Sequence, residues 1–346
     1  MRKADVINLI KYHFELDNES FCKQAFDIAR DLNQNGDTVL AQYIESIISR
    51  RYNLVPQSSD GSFFEEVDCR MQNHLYLPDK LKDDIFGTIN SIKFNKGINR
   101  YLFFGMPGTG KTETAKYIAN AIDRRLYSIN FTNLIDSRLG ETPKNIERMF
   151  AAINHTYDVS KCIFLFDEID VIALDRINKN DVREMGRATS LFIKCLDRLN
   201  KDAIVIATTN LGNALDKAIQ RRFDYIINFD CYSKEILGEI AMDIVKESRD
   251  INKQFDLRLV DKLVSNSSQT FSPAELRNII RISLAFSDPN NDKDFLRRLF
   301  VKLYSEEFLN DYEFMKNKLG MTMREMEAIS GISKSTLSRT IGNKEI

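Results

Sequence analysis

The sequence lacks any apolar run approaching the ~20 residues needed to cross a bilayer, so no membrane span is expected. Its opening, Met1-Arg2-Lys3-Ala4-Asp5-Val6-Ile7, alternates charge with hydrophobicity and lacks the apolar stretch of a secretory leader. Histidine is scarce, with three in 346 residues, and the five cysteines (Cys22, Cys69, Cys162, Cys195 and Cys231) form no C-x-x-C pair. That pattern argues against a zinc site or a disulfide framework, and reduced thiols suit the cytosol. An excess of either charge is also missing: 49 Lys+Arg stand against 50 Asp+Glu, a formal net charge of -1. Such a balance argues against a chain coated for nucleic acid, while leaving room for a local basic face. There is no internal repeat, no low-complexity tract and no protease constellation. What remains is an ordinary globular composition, 43% hydrophobic and 29% charged, which can build a core. A soluble, cytoplasmic protein of two or three domains is expected.

Residues 1–52 read as three short amphipathic helices. Val6, Leu9, Ile10, His13 and Phe14 fall at helical spacing, and Asp17 to Ser20 offer cap chemistry before Phe21, Ala25, Ile28, Ala29 and Leu32. Gly36-Asp37 breaks the pattern, and Leu40, Tyr43, Ile44, Ile47 and Ile48 form a third stripe. Docking is the expected use of this bundle. Residues 53–76 read as linker. Composition is most linker-like from Asn53 to Ser62, and from about Phe63 to Tyr232 short apolar strands alternate with amphipathic helices, the signature of a parallel α/β sheet. The expected strands are Tyr101–Phe104, Leu126–Asn130, Cys162–Phe166, Ile204–Ala207 and Tyr225–Phe229. From Ser233 onward the pattern is helical.

Gly105-Met106-Pro107-Gly108-Thr109-Gly110-Lys111-Thr112 matches G-x-x-x-x-G-K-[ST] between an expected strand and an expected helix beginning at Glu113. Glycines let the backbone curl so that its N–H groups converge on phosphate, and the helix N-terminus adds positive potential. Lys111 is expected to reach the β- and γ-phosphates of ATP, and the Thr112 hydroxyl to ligate Mg²⁺. Fifty residues on, the apolar strand Cys162-Ile163-Phe164-Leu165-Phe166 ends in Asp167-Glu168. Asp167 is placed to orient Mg²⁺ and Glu168 to polarise an attacking water as general base. The strand Ile204–Ala207 ends in Thr208-Thr209-Asn210, where Asn210 either hydrogen-bonds the γ-phosphate or its water, or caps the next turn.

These motifs, with Leu139-Gly140-Glu141-Thr142-Pro143-Lys144-Asn145-Ile146 and the run from Ala207 to Asp224, resemble AAA-family P-loop ATPases over roughly residues 77–285. The resemblance implies an α/β core at 77–232, a helical lid at 233–290 and a ring, most simply a hexamer. It makes Asn210 a γ-phosphate sensor, and Arg221 and Arg222 paired fingers reaching a neighbour's ATP. Without the motif, that Arg-Arg pair reads as a solvated turn. Arg138 stands where the family commonly has a pore-loop aromatic, which puts polypeptide threading in question, although Leu139 offers an apolar grip. Ala274 stands where the wider superfamily often has a sensing arginine. Arg277 lies one helical turn on, facing either nucleotide or solvent.

In the C-terminal helical segment, 291–346, the stretch 320–341 resembles a helix-turn-helix. Thr322 is placed to cap a helix bearing Met323, Met326 and Ile329, and Gly331 to supply the positive φ of a tight turn. A second helix, capped by Ser333, carries Leu337 and Ile341 inside and Lys334, Ser335, Ser338 and Arg339 outside. DNA contact and plain docking are both open uses of such a unit. The expected function is ATP-driven remodelling of a protein or protein–nucleic acid target. A looser likeness to prokaryotic AAA proteins that accompany a subtilisin-like protease, some in phage defence, adds a possible protease partner. The alternative is an ATP-switched DNA-binding regulator.

Overall fold

The computed structural model describes residues 3–15, 18–41, 43–44, 63–70, 75–131, 134, 141–156, 158–170, 182–212, 215–248, 255–288 and 291–342. The chain opens with α1 (Lys3–Phe14) and α2 (Asn18–Gln34), then helical residues at 38–41 and 43–44. Ile47 and Ile48 lie outside the described residues. α1 packs along α2, while Ala25 and Phe26 of α2 join the core of the sheet domain with Leu9 and Ile44 beside them.

Six strands form one sheet: β1 (Phe64–Val67), β2 (Arg100–Phe104), β3 (Arg125–Asn130), β4 (Cys162–Asp167), β5 (Ile204–Thr209) and β6 (Tyr225–Asn228). Their order is β1-β3-β4-β5-β2-β6. All neighbours run parallel except β1, which is antiparallel to β3, from Phe64↔Ile129 to Val67↔Leu126. The five expected strands are present, with ends shifted by a residue or two. β1 is a strand the sequence reading did not expect, lying where the 53–76 linker overlaps the start of the α/β pattern. Phe64 is 8% exposed and sets its ring 5.9 Å from that of Phe164, while Glu65 and Glu66 face solvent. One buried aromatic is enough to seat a four-residue edge strand whose composition alone looks polar.

The sheet is covered on both faces, as a parallel sheet must be. Ile163, Leu165, Ile204 and Ile206 point toward α3 (Asp79–Lys93) and α4 (Lys111–Ala121), whose Ile85, Ile89, Ala115 and Ile118 share their cluster. The alternate side chains, Phe164, Phe166, Val205 and Ala207, meet α5 (Glu141–Asn154) and α6 (Val182–Asp197). There Phe166 packs edge-on to Phe150 at 5.7 Å and tilted to Phe192 at 5.9 Å. A short helix, α7 (Lys217–Gln220), follows β5 with Asp216 as its cap.

The rest is helical, as expected: α8 (Lys234–Glu247), α9 (Leu257–Ser265), α10 (Pro273–Ala285), α11 (Asp292–Tyr304), α12 (Met323–Ser330) and α13 (Lys334–Gly342). One apolar cluster runs from Leu237 to Leu337, so the expected lid and the C-terminal segment share a single core. The join is also polar: Lys262 of α9 donates to Gly320 O at 2.8 Å and pairs with Glu325 of α12 at 3.0 Å. Glu325 completes a capping box with Thr322. Gly331 has φ 74°, a value its missing Cβ permits, and turns the chain from α12 into α13. Leu337 is buried, Ile332 packs against the cluster, and Lys334, Ser335, Ser338 and Arg339 are exposed. No helix among the described residues is long and apolar enough to cross a membrane.

Candidate functional site

β2 lies inside the sheet between β5 and β6, and the turn at its C-terminal end carries Gly105 to Gly110 into α4. Crevices at such strand ends are where parallel sheets bind ligands. The turn is braced from several sides. Asp230, just past β6, accepts from the Met106 N–H at 2.6 Å. Thr109 Oγ1 donates to Met106 O at 2.8 Å, and the Tyr232 hydroxyl donates to Thr109 O at 3.0 Å. From the lid, Ala274 N–H donates to Gly108 O at 3.1 Å. Gly108 has φ 78°, and a Cβ there would stand 2.7 Å from Ser272 Oγ, so only glycine lets the turn seat against the N-terminus of α10.

Lys111 opens α4 and is 8% exposed. Its ammonium donates to Gly105 O at 2.6 Å, Met106 O at 3.0 Å and Asn210 Oδ1 at 2.9 Å. Burial pulls its pKa below the ordinary lysine value, against the opposing field of Asp230, Asp170, Asp167 and Glu168. A buried cation held by carbonyl and amide oxygens is poised for a stronger anionic partner. Thr112, next in α4, sets its hydroxyl 3.2 and 3.4 Å from the two carboxylate oxygens of Asp167 at the end of β4. The next residue, Glu168, is exposed with φ 54°.

The structure thus brings together Gly105, Gly108, Thr109, Gly110, Lys111, Thr112, Asp167 and Asn210, with Pro107 exposed on the turn and Glu168 at its edge. Glu113 pairs with Lys116 at 2.7 Å and lines the adjoining pocket. Asn210 faces the P-loop: its side chain accepts from Lys111, and its N–H donates to Asp170 Oδ2 at 2.9 Å. Thr209 also donates to Asp170, which is 7% exposed. Among the described residues, no group of three His, Cys, Asp or Glu side chains stands ready to hold a metal. One hydroxyl beside one carboxylate is the donor set of a Mg²⁺ whose remaining ligands are water and phosphate oxygens, so Thr112 and Asp167 fit that ion.

Beside the turn is a pocket of about 160 Å³ lined by residues that include Leu75, Tyr76, Tyr232, Ile240, Ala274 and Arg277. Arg277 does not simply face solvent, because its guanidinium lies 5.5 Å from the Tyr76 ring centroid. Arg222 pairs with Asp197 at the end of α6 at 2.9 Å, whereas Arg221 is exposed at the end of α7 with no ion pair among the described residues. Neither arginine is hydrogen-bonded to the P-loop of its own chain. Arg138, Leu139 and Gly140 lie outside the described residues. Sequence reasoning missed Thr208, Asp170, Asp230, Tyr76 and Tyr232 as site residues. The only signal was their position, at or shortly beyond the C-terminal end of a strand or just before the first core helix.

Comparison with known proteins agrees with this geometry. The family model described as "ATPase family associated with various cellular activities (AAA)" matches residues 101–231. The "Uncharacterized AAA family ATPase y4kL" of Sinorhizobium fredii is 34% identical over 140 residues, which are 40% of this chain and 41% of that protein. The "Peroxisomal ATPase PEX6" of Candida glabrata is 32% identical over 214 residues, 58% of this chain and 20% of its own. The chain therefore spans less than half the length of either relative. A chain in the "Structure of E. coli MS115-1 HORMA:CdnC:Trip13 complex" has the same fold, with TM-score 0.54 and 20% identity, covering 65% of this chain and 88% of that one. Residues 101–231 thus match an AAA-family ATPase domain.

Proposed function

We propose that the chain hydrolyses ATP to ADP and phosphate as a subunit of a ring, and uses the energy to remodel a protein or protein–nucleic acid target. The observation that carries this reading is the convergence of Lys111, Thr112, Asp167 and Asn210 at the ends of β2, β4 and β5. Lys111 leaves the carbonyls of its own turn for the β- and γ-phosphates, where the turn's N–H groups and the start of α4 already favour negative charge. Thr112 and Asp167 would hold Mg²⁺, which supplies charge neutralisation at the phosphates. Glu168 takes a proton from the attacking water, Asn210 hydrogen-bonds the γ-phosphate or that water, and the purine enters the pocket walled by Tyr76 and Arg277. Arg221 and Arg222 act on the neighbouring subunit's ATP, stabilising charge on the transferring phosphoryl group.

Lys111→Ala tests the reading: wild-type protein should bind a fluorescent ATP analogue and release phosphate, and the variant should lose both. A wild-type protein that binds no ATP would overturn it. The first two helices are assigned to target or partner docking, a protease partner in phage defence being one such use.

A second reading, an ATP-switched regulator bound to DNA through residues 320–341, is favoured by one observation. α13 buries Leu337 and presents Lys334, Ser335, Ser338 and Arg339 together to solvent. Duplex binding that weakens steeply with salt, and that is lost on exchanging Lys334 and Arg339 for Ala, would favour it. No gel shift at low salt with ATP present would remove it.

A further inference from the structure

Across the parallel ladder Phe166 pairs with Ala207, so the next residue of each strand, Asp167 and Thr208, are neighbours. Strand alternation puts both on the face that meets α4, since Ile163, Leu165, Ile204 and Ile206 all belong to that face. Thr208 is 1% exposed. Its hydroxyl donates to Asp167 Oδ1 at 2.6 Å and accepts from the Glu168 N–H at 2.9 Å. Few small side chains can do both at one atom, because a hydroxyl carries a donor and lone pairs together. The second bond matters because Glu168 has φ 54°, a left-handed conformation disfavoured for a residue with a Cβ. The Ile169 N–H, donating to Thr208 O at 3.0 Å, ties down the far side of the same bend.

We propose that Thr208 is a positioning residue for ATP hydrolysis, through one hydroxyl that fixes the Asp167 carboxylate and the Glu168 backbone relative to each other. This rests on the ATPase reading above. A threonine buried only for packing has no reason to spend both hydrogen-bonding functions on the two residues that orient the metal and the water. Asp167 Oδ1 takes the hydrogen bonds of Thr208 and Thr112 together, so the carboxylate cannot rotate freely about its last bond. The bent backbone after it directs the Glu168 side chain away from the sheet and toward solvent, where an attacking water arrives.

Thr208→Val removes both hydrogen bonds and keeps the shape, Thr208→Ala removes them without a methyl beside Asp167, and Thr208→Ser keeps them and loses only a methyl. Oriented partners of this kind typically contribute about 10–100-fold in activity or metal affinity. Val and Ala variants should therefore lose kcat by roughly that factor, with KM changed by less than about threefold. The fluorescent ATP analogue should bind all variants equally in EDTA, whereas the gain in affinity on adding Mg²⁺ should need more Mg²⁺ in Val and Ala. Thr208→Ser should behave as wild type, and thermal melting reports the folding of each. Wild-type kcat and Mg²⁺ response in a folded Val or Ala variant would overturn the proposal. So would a Ser variant as impaired as Val, because packing would then be the cause. A wild-type protein that neither binds ATP nor releases phosphate would instead remove the ATPase reading, and this inference with it.

Discussion

On the proposed function, Lys111 and Glu168 divide the work of the site between binding and chemistry. Lys111 is buried among oxygens that phosphate can replace, whereas Glu168 is exposed at the lip of β4. Glu168→Gln should therefore bind ATP with wild-type affinity and release phosphate roughly a hundredfold more slowly, the effect of losing a general base. Phosphate release at the wild-type rate would show that another group activates the water. If the purine enters the pocket as proposed, Arg277 offers a second division, between base and phosphates. Its guanidinium stacks on Tyr76 in the pocket wall, an interaction of about 0.5–2 kcal/mol. Arg277→Ala should weaken ATP binding by roughly 2- to 30-fold on that basis and leave tripolyphosphate binding unchanged. Equal losses for both ligands would mean that Arg277 reads phosphate instead. The P-loop and Asp167-Glu168 were legible in the sequence because consecutive residues carry them. Thr208 and Asp170 were not, because their partners lie about 40 residues away and only the pairing of β4 with β5 brings them close.

At the scale of elements, the parallel strands announce themselves as continuous apolar runs, since β4 and β5 are buried on both faces. β1 escaped notice because Phe-Glu-Glu-Val carries a single buried residue, and its pairing with β3 is antiparallel and distant in sequence. The shared core of α8 to α13 was also not legible. Helical periodicity shows which face of a helix is buried and not which helix covers it. One element-level contact sets a pH dependence. Asp224, before β6, pairs with Arg100 of β2 at 2.8 Å and accepts from the Asn99 and Arg100 N–H groups at 3.1 and 3.0 Å. Burial works against its charge, but the Arg100 side chain and these N–H groups win and hold its pKa below the ordinary 3.8. A depressed pKa gives stability that is complete above the unfolded value and fades as pH falls through the folded one. Asp224→Asn should lower stability at neutral pH by about 1–3 kcal/mol, and the gap from wild type should close below pH 3.8. Urea melts across that range provide the test. A gap that persists in acid would assign the loss to packing, not charge.

For the whole molecule, the proposed ring depends on the position of the two arginines after α7. They make no bond to the P-loop of their own chain. Arg221 is exposed, and Arg222 is 40% exposed in a surface pair with Asp197, the kind of contact worth only about 0–1 kcal/mol and easily exchanged for another anion. On the proposed function, the site still needs a second cation beside Lys111 to stabilise charge on the transferring phosphoryl group, and Arg221 and Arg222 of a neighbour would supply it in a head-to-tail ring. Two broken chains then repair each other. One carries Arg221→Ala with Arg222→Ala, keeping a sound P-loop but no finger; the other carries Lys111→Ala, keeping its fingers but no grip on ATP. Phosphate release from an equimolar mixture of these two inactive proteins is the most direct measurement. Turnover should return on mixing, at the interfaces where an intact P-loop meets an intact finger, and disappear on dilution. A mixture as inactive as its components, or a doubly substituted chain that hydrolyses ATP at the wild-type rate by itself, would contradict the proposed ring.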